Sequence, residues 1–81
     1  MKELQLKIVS PEKMLFQGTV LSVKLPGTEG EFSILPDHAP LISSLHKGEI
    51  SYEIEKGSPL KVVIESGFVE VKKNIVTVCV E

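Results

Sequence analysis

Glu49-Ile50-Ser51-Tyr52-Glu53-Ile54-Glu55 decides the fold class, because its apolar side chains fall on every second residue. Successive side chains of an extended chain point to opposite faces, so this period marks a strand with one face on a core and the other in water. The same pattern recurs in both directions. Leu4, Leu6 and Ile8 alternate with Gln5 and Lys7; Leu21, Val23 and Leu25 with Ser22 and Lys24; Leu60, Val62 and Ile64 with Lys61 and Glu65. Further strands are predicted over Phe68 to Lys72 and Ile75 to Val80, rich in the β-branched residues that suit a pleated surface.

Glycine and proline punctuate these runs at Ser10-Pro11, Gly18, Pro26-Gly27, Gly30, Pro36, Pro40, Gly48, Gly57, Pro59 and Gly67, each able to supply a turn. Short strands so regularly interrupted predict an all-β fold, a small sandwich of about ten strands in two sheets. No apolar stripe at helical spacing, internal repeat or low-complexity linker interrupts the pattern, so residues 1–81 read as one domain. Gly67 is expected to mark a bend and Lys73-Asn74 a tight hairpin. The last strand reaches Val80, so truncating it should strip a strand from the core, and no floppy tail is expected.

A chain of this length should fold to roughly 4,800 Å² of surface, with little interior left for a substrate pocket of about 300 Å³ or more. Nine lysines against eleven Asp and Glu give a net charge of −2, and there is no arginine. With only Phe16, Phe32, Phe68 and Tyr52 as aromatics, neither phosphate forks nor stacking platforms are available, which argues against nucleic acid. The single cysteine, Cys79, makes no internal disulfide; a reducing compartment is implied, with Cys79 expected as a buried structural thiol among valines. Met1 to Gln5 lack the apolar run of a signal peptide, and no stretch approaches the ~18 apolar residues of a membrane span.

Chemistry-bearing constellations are few. Asp37-His38 is the one acid–imidazole neighbour pair, but adjacent residues in extended chain point apart, so Asp37 is not expected to orient His38 as a base. Two histidines and a distant cysteine match no zinc spacing, and no metal is expected. Lys56, in Ile54-Glu55-Lys56-Gly57, invites comparison with lipoyl or biotinyl carrier domains, which present a modifiable lysine on a hairpin. Its neighbours differ from those of such carriers, so a solvated lysine is the first reading and the carrier the alternative.

The stretch from Gly27 to Leu41 is more specific. Gly30 between Glu29 and Glu31 permits a positive φ at a turn tip, throwing both carboxylates outward. Phe32 and Ile34 then fit an inward-facing strand, and Pro36 and Pro40 hold an extended connection. If Leu41 and Leu45 face the core, alternation leaves Ile42 outside, beside His38 and the prolines, in a partly apolar patch of the kind that marks an interface.

Gly27-Thr28-Glu29-Gly30-Glu31 followed by Pro36-Asp37-His38-Ala39-Pro40-Leu41 resembles the signature of the epsilon subunit of rotary ATP synthases, in its amino-terminal β-sandwich. Val9-Ser10-Pro11-Glu12, Phe16 with Gly18, Ser66-Gly67-Phe68-Val69-Glu70-Val71 and Asn74 with Val76-Thr77-Val78 extend the resemblance, in order, over nearly the whole chain. It implies a sandwich in the central stalk, packed beside the gamma subunit and resting on the membrane c ring, peripheral on the cytoplasmic face of a bacterial inner membrane. Proton- or sodium-driven rotation would pass through it to catalytic sites on other subunits. The resemblance assigns Thr28, Glu29, Gly30 and Glu31 to the c-ring contact, and Ser10, His38, Ala39, Pro40, Ile42 and Ser43 to the gamma contact. It implies no catalytic residue, cofactor or small-molecule substrate. Family members commonly continue into two carboxyl-terminal helices that inhibit hydrolysis and in some cases bind ATP. For the polypeptide ending at Glu81, neither nucleotide binding nor inhibition by an extended arm is expected.

Overall fold

Four antiparallel hairpins, tied together by longer-range pairings, build the computed structural model, which describes residues 3–81. Met1 and Lys2, the start of the segment read against a signal peptide, lie outside the described residues. The strands are β1 (Leu4–Val9), β2 (Met14–Val20), β3 (Ser22–Gly27), β4 (Gly30–Ile34), β5 (Leu41–Leu45), β6 (Gly48–Glu53), β7 (Pro59–Ile64), β8 (Gly67–Lys72) and β9 (Ile75–Val80). Nine strands thus stand where about ten were expected, with no helix among the described residues.

Hydrogen bonding links the strands in the order β2-β1-β9-β8-β5-β3-β6-β7, with β4 on β3. The link between β5 and β3 is a single pair, Gly27 with Leu45, flanked by bonds from Thr28 N–H to the Ser44 carbonyl (3.1 Å) and from His46 N–H to the Pro26 carbonyl (2.9 Å). Elsewhere the ladders are longer. At this narrow waist the strands divide into a layer of β2, β1, β9, β8 and β5 and a layer of β4, β3, β6 and β7. Both layers feed one buried cluster: Leu4, Leu6, Ile8, Val20, Leu45, Val69, Val71, Val76, Val78 and Val80 from the first, Val23, Leu25, Ile34, Ile50, Tyr52 and Ile64 from the second. No polar or charged side chain is buried among the described residues, so the core is held by apolar burial alone.

Register explains why alternation works. Val69 faces Val78 and Val71 faces Val76 across β8 and β9, while Leu6 and Ile8 lie beside Val76 and Val78 on β1. The β1–β9 pairing is parallel, and it sets the first and last strands side by side within one layer. Gly67 is obligatory where β8 begins, because a Cβ there would run into the Cys79 carbonyl oxygen. Lys73 and Asn74 take φ of 50° and 63°, the left-handed pair that a two-residue hairpin demands.

Alternation fails at strand ends. Leu21, expected inside with Val23, is exposed at the bend between β2 and β3, where its N–H is held by the Glu53 carbonyl (2.7 Å). Ile54 lies past the end of β6, and Leu60 sits on edge strand β7; both are exposed as well. All three lie at a strand end or on the edge strand, so a correct period does not secure burial. Cys79 is another correction: it is partly exposed, because its neighbours Val78 and Val80 occupy the inward positions of β9.

Candidate functional site

The β3–β4 turn projects Thr28, Glu29, Gly30 and Glu31, all exposed. Gly30 adopts φ 133°, a conformation that side chains with a Cβ rarely enter, and open space surrounds it. Beneath the tip the packing is tight. Gly27 is buried under the Phe32 ring, and a Cβ there would stand 2.6 Å from that ring and 2.7 Å from the Gly30 carbonyl oxygen. The Thr28 bond to Ser44 fastens the tip to the other layer. Glu31 lies 3.9 Å from the Lys24 ammonium; both are more than half exposed, so the pair orients the carboxylate while contributing little stability. The result is a charged tip on a rigid base.

The β4–β5 connection is built differently. His38 N–H closes a turn on the Leu35 carbonyl (3.2 Å), and Asp37 sits at φ 67°. The chain is therefore turned here, not extended as expected. Asp37 nevertheless does not orient the imidazole: His38 Nδ1 lies 2.7 Å from the Ala39 carbonyl. A carbonyl only accepts, so in this contact Nδ1 is the donor. Asp37 instead meets Asn74, whose Oδ1 accepts from the Asp37 N–H (2.6 Å) and whose Nδ2 donates to Asp37 Oδ1 (3.2 Å). Ala39 and Pro40 are exposed, His38 half-buried.

The set that resemblance assigned to a second contact is partly gathered and partly divided. Ile42, 74% exposed, lies on the outer face of its layer, opposite Glu70 on β8. Ser43 faces the other way, paired with buried Val69, and its Oγ turns to the Ser44 carbonyl (3.2 Å). Ser44, not assigned beforehand, shares the outer face with Ile42. Ser10 is far from His38 along the strands: it closes the β1–β2 turn by accepting from and donating to Lys13, and it lines an open cavity of about 540 Å³ with Val9, Pro11, Phe68 and Cys79.

Phe68 bridges the gap. It is 52% exposed, pairs with Ser44 on one side and Cys79 on the other, and so continues the outer face from Ile42 towards Ser10. Inward Val69 and Val71 imply an outward Phe68, so alternation alone could have found it. Lys56 is exposed in the β6–β7 turn, where Ser58 N–H bonds the Glu55 carbonyl (3.2 Å). Among the described residues no group of three or more His, Cys, Asp or Glu could hold a metal ion.

Residues 3–81 match the family described as ATP synthase, Delta/Epsilon chain, beta-sandwich domain. Among curated relatives, an ATP synthase epsilon chain of Leptospira interrogans is 48% identical over 77 residues, covering 94% of this chain and 59% of its own. Another, from a Nitratiruptor species, is 48% identical over 81 residues, covering 100% of this chain and 63% of its own. The chain thus spans about three fifths of the length of these relatives. In solved structures, a chain of the Euglena gracilis mitochondrial ATP synthase (OSCP/F1/c-ring) superposes with a TM-score of 0.89 at 24% identity, over 96% of this chain and 50% of that one. A chain of the Tetrahymena thermophila mitochondrial ATP synthase central stalk/c-ring superposes with a TM-score of 0.81 at 14% identity, over 98% of this chain and 63% of that one. These likenesses establish the sandwich fold.

Proposed function

The chain belongs to the ATP synthase delta/epsilon β-sandwich family, and from that premise we propose that it is the non-catalytic coupling domain of an epsilon subunit, joining gamma to the c ring. In this reading it turns with the ring, carries proton- or sodium-driven torque towards catalytic sites on other subunits, and is peripheral on the cytoplasmic face of the membrane. The bacterial epsilon relatives support this placement.

One observation carries the mechanism: the acidic tip and the apolar outer face are separate surfaces whose supports meet at the Gly27–Leu45 pair and the Thr28–Ser44 bond. A torque-bearing link needs two attachment points fixed relative to each other, and the single core shared by both layers, together with the hydrogen-bonded waist, supports that role. Glu29 and Glu31 suit cationic and amide groups on ring loops, where exposed charge fixes register and partner choice more than affinity. Ile42, with Phe68 and the His38-Ala39-Pro40 segment, suits a partly apolar partner face on gamma. Two interfaces of ordinary size would cover ~800 Å² each of the 5210 Å² surface, about a third of it, so the domain has room for both.

Reconstitution with isolated gamma and c ring separates the two surfaces. Glu31→Lys is expected to weaken ring attachment and spare gamma; Ile42→Asp is expected to do the reverse. If both changes act on the same partner, or on neither, the two-surface assignment falls.

A further inference from the structure

We infer that Asn74 is a positioning residue for the His38-Ala39-Pro40 segment, holding it in the geometry in which it docks; this rests on the proposed gamma contact and names the residue that shapes it. Asn74 is 37 positions from Asp37, in the hairpin between β8 and β9, and its side-chain amide makes two bonds to that residue: Oδ1 to the backbone N–H at 2.6 Å, Nδ2 to the carboxylate at 3.2 Å. Its own carbonyl accepts from Gln5 N–H at 2.8 Å, so it is anchored on β1 independently of its side chain. The residue it grips is a non-glycine at φ 67°, a conformation that needs local hydrogen bonding to persist. Immediately after it, His38 turns its ring to the Ala39 carbonyl and Pro40 leads into β5. Releasing Asp37 from Asn74 removes two of the bonds that hold the segment at its amino-terminal end.

A rival explanation is that Asn74 serves only its own hairpin, where φ 63° favours Asn. Substitutions distinguish the two. Asn74→Gly keeps the hairpin conformation and the carbonyl bond to Gln5 but deletes both bonds to Asp37. Asn74→Asp keeps the acceptor and the left-handed tolerance but sets one carboxylate against another. Adding Asp37→Asn to Asn74→Asp restores a donor–acceptor pair with the polarity of one bond reversed.

The test is amide hydrogen exchange on the 81-residue chain together with its affinity for isolated gamma. In Asn74→Gly, the Asp37 amide is expected to exchange about tenfold faster while the Gln5 amide is unchanged, and gamma affinity to fall about tenfold. Asn74→Asp should weaken binding similarly, and the double variant should recover to within about twofold of wild type. Unchanged Asp37 exchange in Asn74→Gly, or full gamma affinity in both single variants while Ile42→Asp loses it, would overturn the inference. Equal gamma binding by wild type and Ile42→Asp overturns the interface reading and the docking role with it, whereas the Asp37 exchange result still decides the clamp.

Discussion

The Thr28–Glu31 tip and the His38–Pro40 segment leave the same strand, β4, at opposite ends, and they hold their shapes by different means. The tip is shaped mainly by its own residues, a two-residue loop between laddered strands with a glycine at φ 133° and a glycine packed under Phe32, and its backbone is tied to the other layer by the Thr28–Ser44 bond. The segment is shaped at a distance, by an asparagine that precedes β9 and grips a left-handed aspartate. A local turn tolerates changes of exposed side chain and resists changes of backbone freedom. A turn held from afar responds to a substitution that leaves its own residues untouched.

The largest expected effect removes what the two share. Ile34, fully buried at the end of β4, sits between them, and Ile34→Ala should cost about 2–5 kcal/mol in urea unfolding and weaken both docking surfaces together. Gly27→Ala follows at about 1–3 kcal/mol, since both the Phe32 ring and the Gly30 carbonyl must move to admit the methyl group; ring attachment should suffer more than gamma binding. Gly30→Ala meets open space and so carries only the backbone penalty, about 1 kcal/mol or somewhat more by the same measurement. Smallest are Ile42→Asp, at about 0.5–1 kcal/mol because it sets Asp opposite Glu70 on a strand, and Glu31→Lys, at no more than about 0.5 kcal/mol, both while changing partner binding. A large loss of stability from Ile42→Asp would mean that its side chain faces the core, erasing the contrast between the layer's two faces.

Much of this was legible in residue order. Leu4, Leu6 and Ile8 alternate in the chain and are all buried; Ile50 and Tyr52 likewise. Glu29-Gly30-Glu31 announced an outward tip because a glycine between two charges has few other uses, and Leu41 with Leu45 correctly left Ile42 outside. Legibility ended wherever the partner is remote in sequence. Leu21, Ile54 and Leu60 keep the period and still meet solvent, because they sit at a bend, past a strand end and on the edge strand β7. The resemblance places Ser43 with Ile42, and the strand turns the two neighbours to opposite faces. Ser10 was grouped with His38 by resemblance, yet it lies nearer Phe68 and Cys79, at the other end of the layer.

From the amino-acid order alone come the strand class, most of the core and the acidic tip, because side-chain alternation and glycine's backbone freedom act over a few residues. Three features needed the folded chain: the parallel seating of β1 beside β9, the single-pair waist between layers, and the Asn74 grip on Asp37. Each joins segments far apart in the chain, which a periodicity read over a few neighbouring residues does not encode.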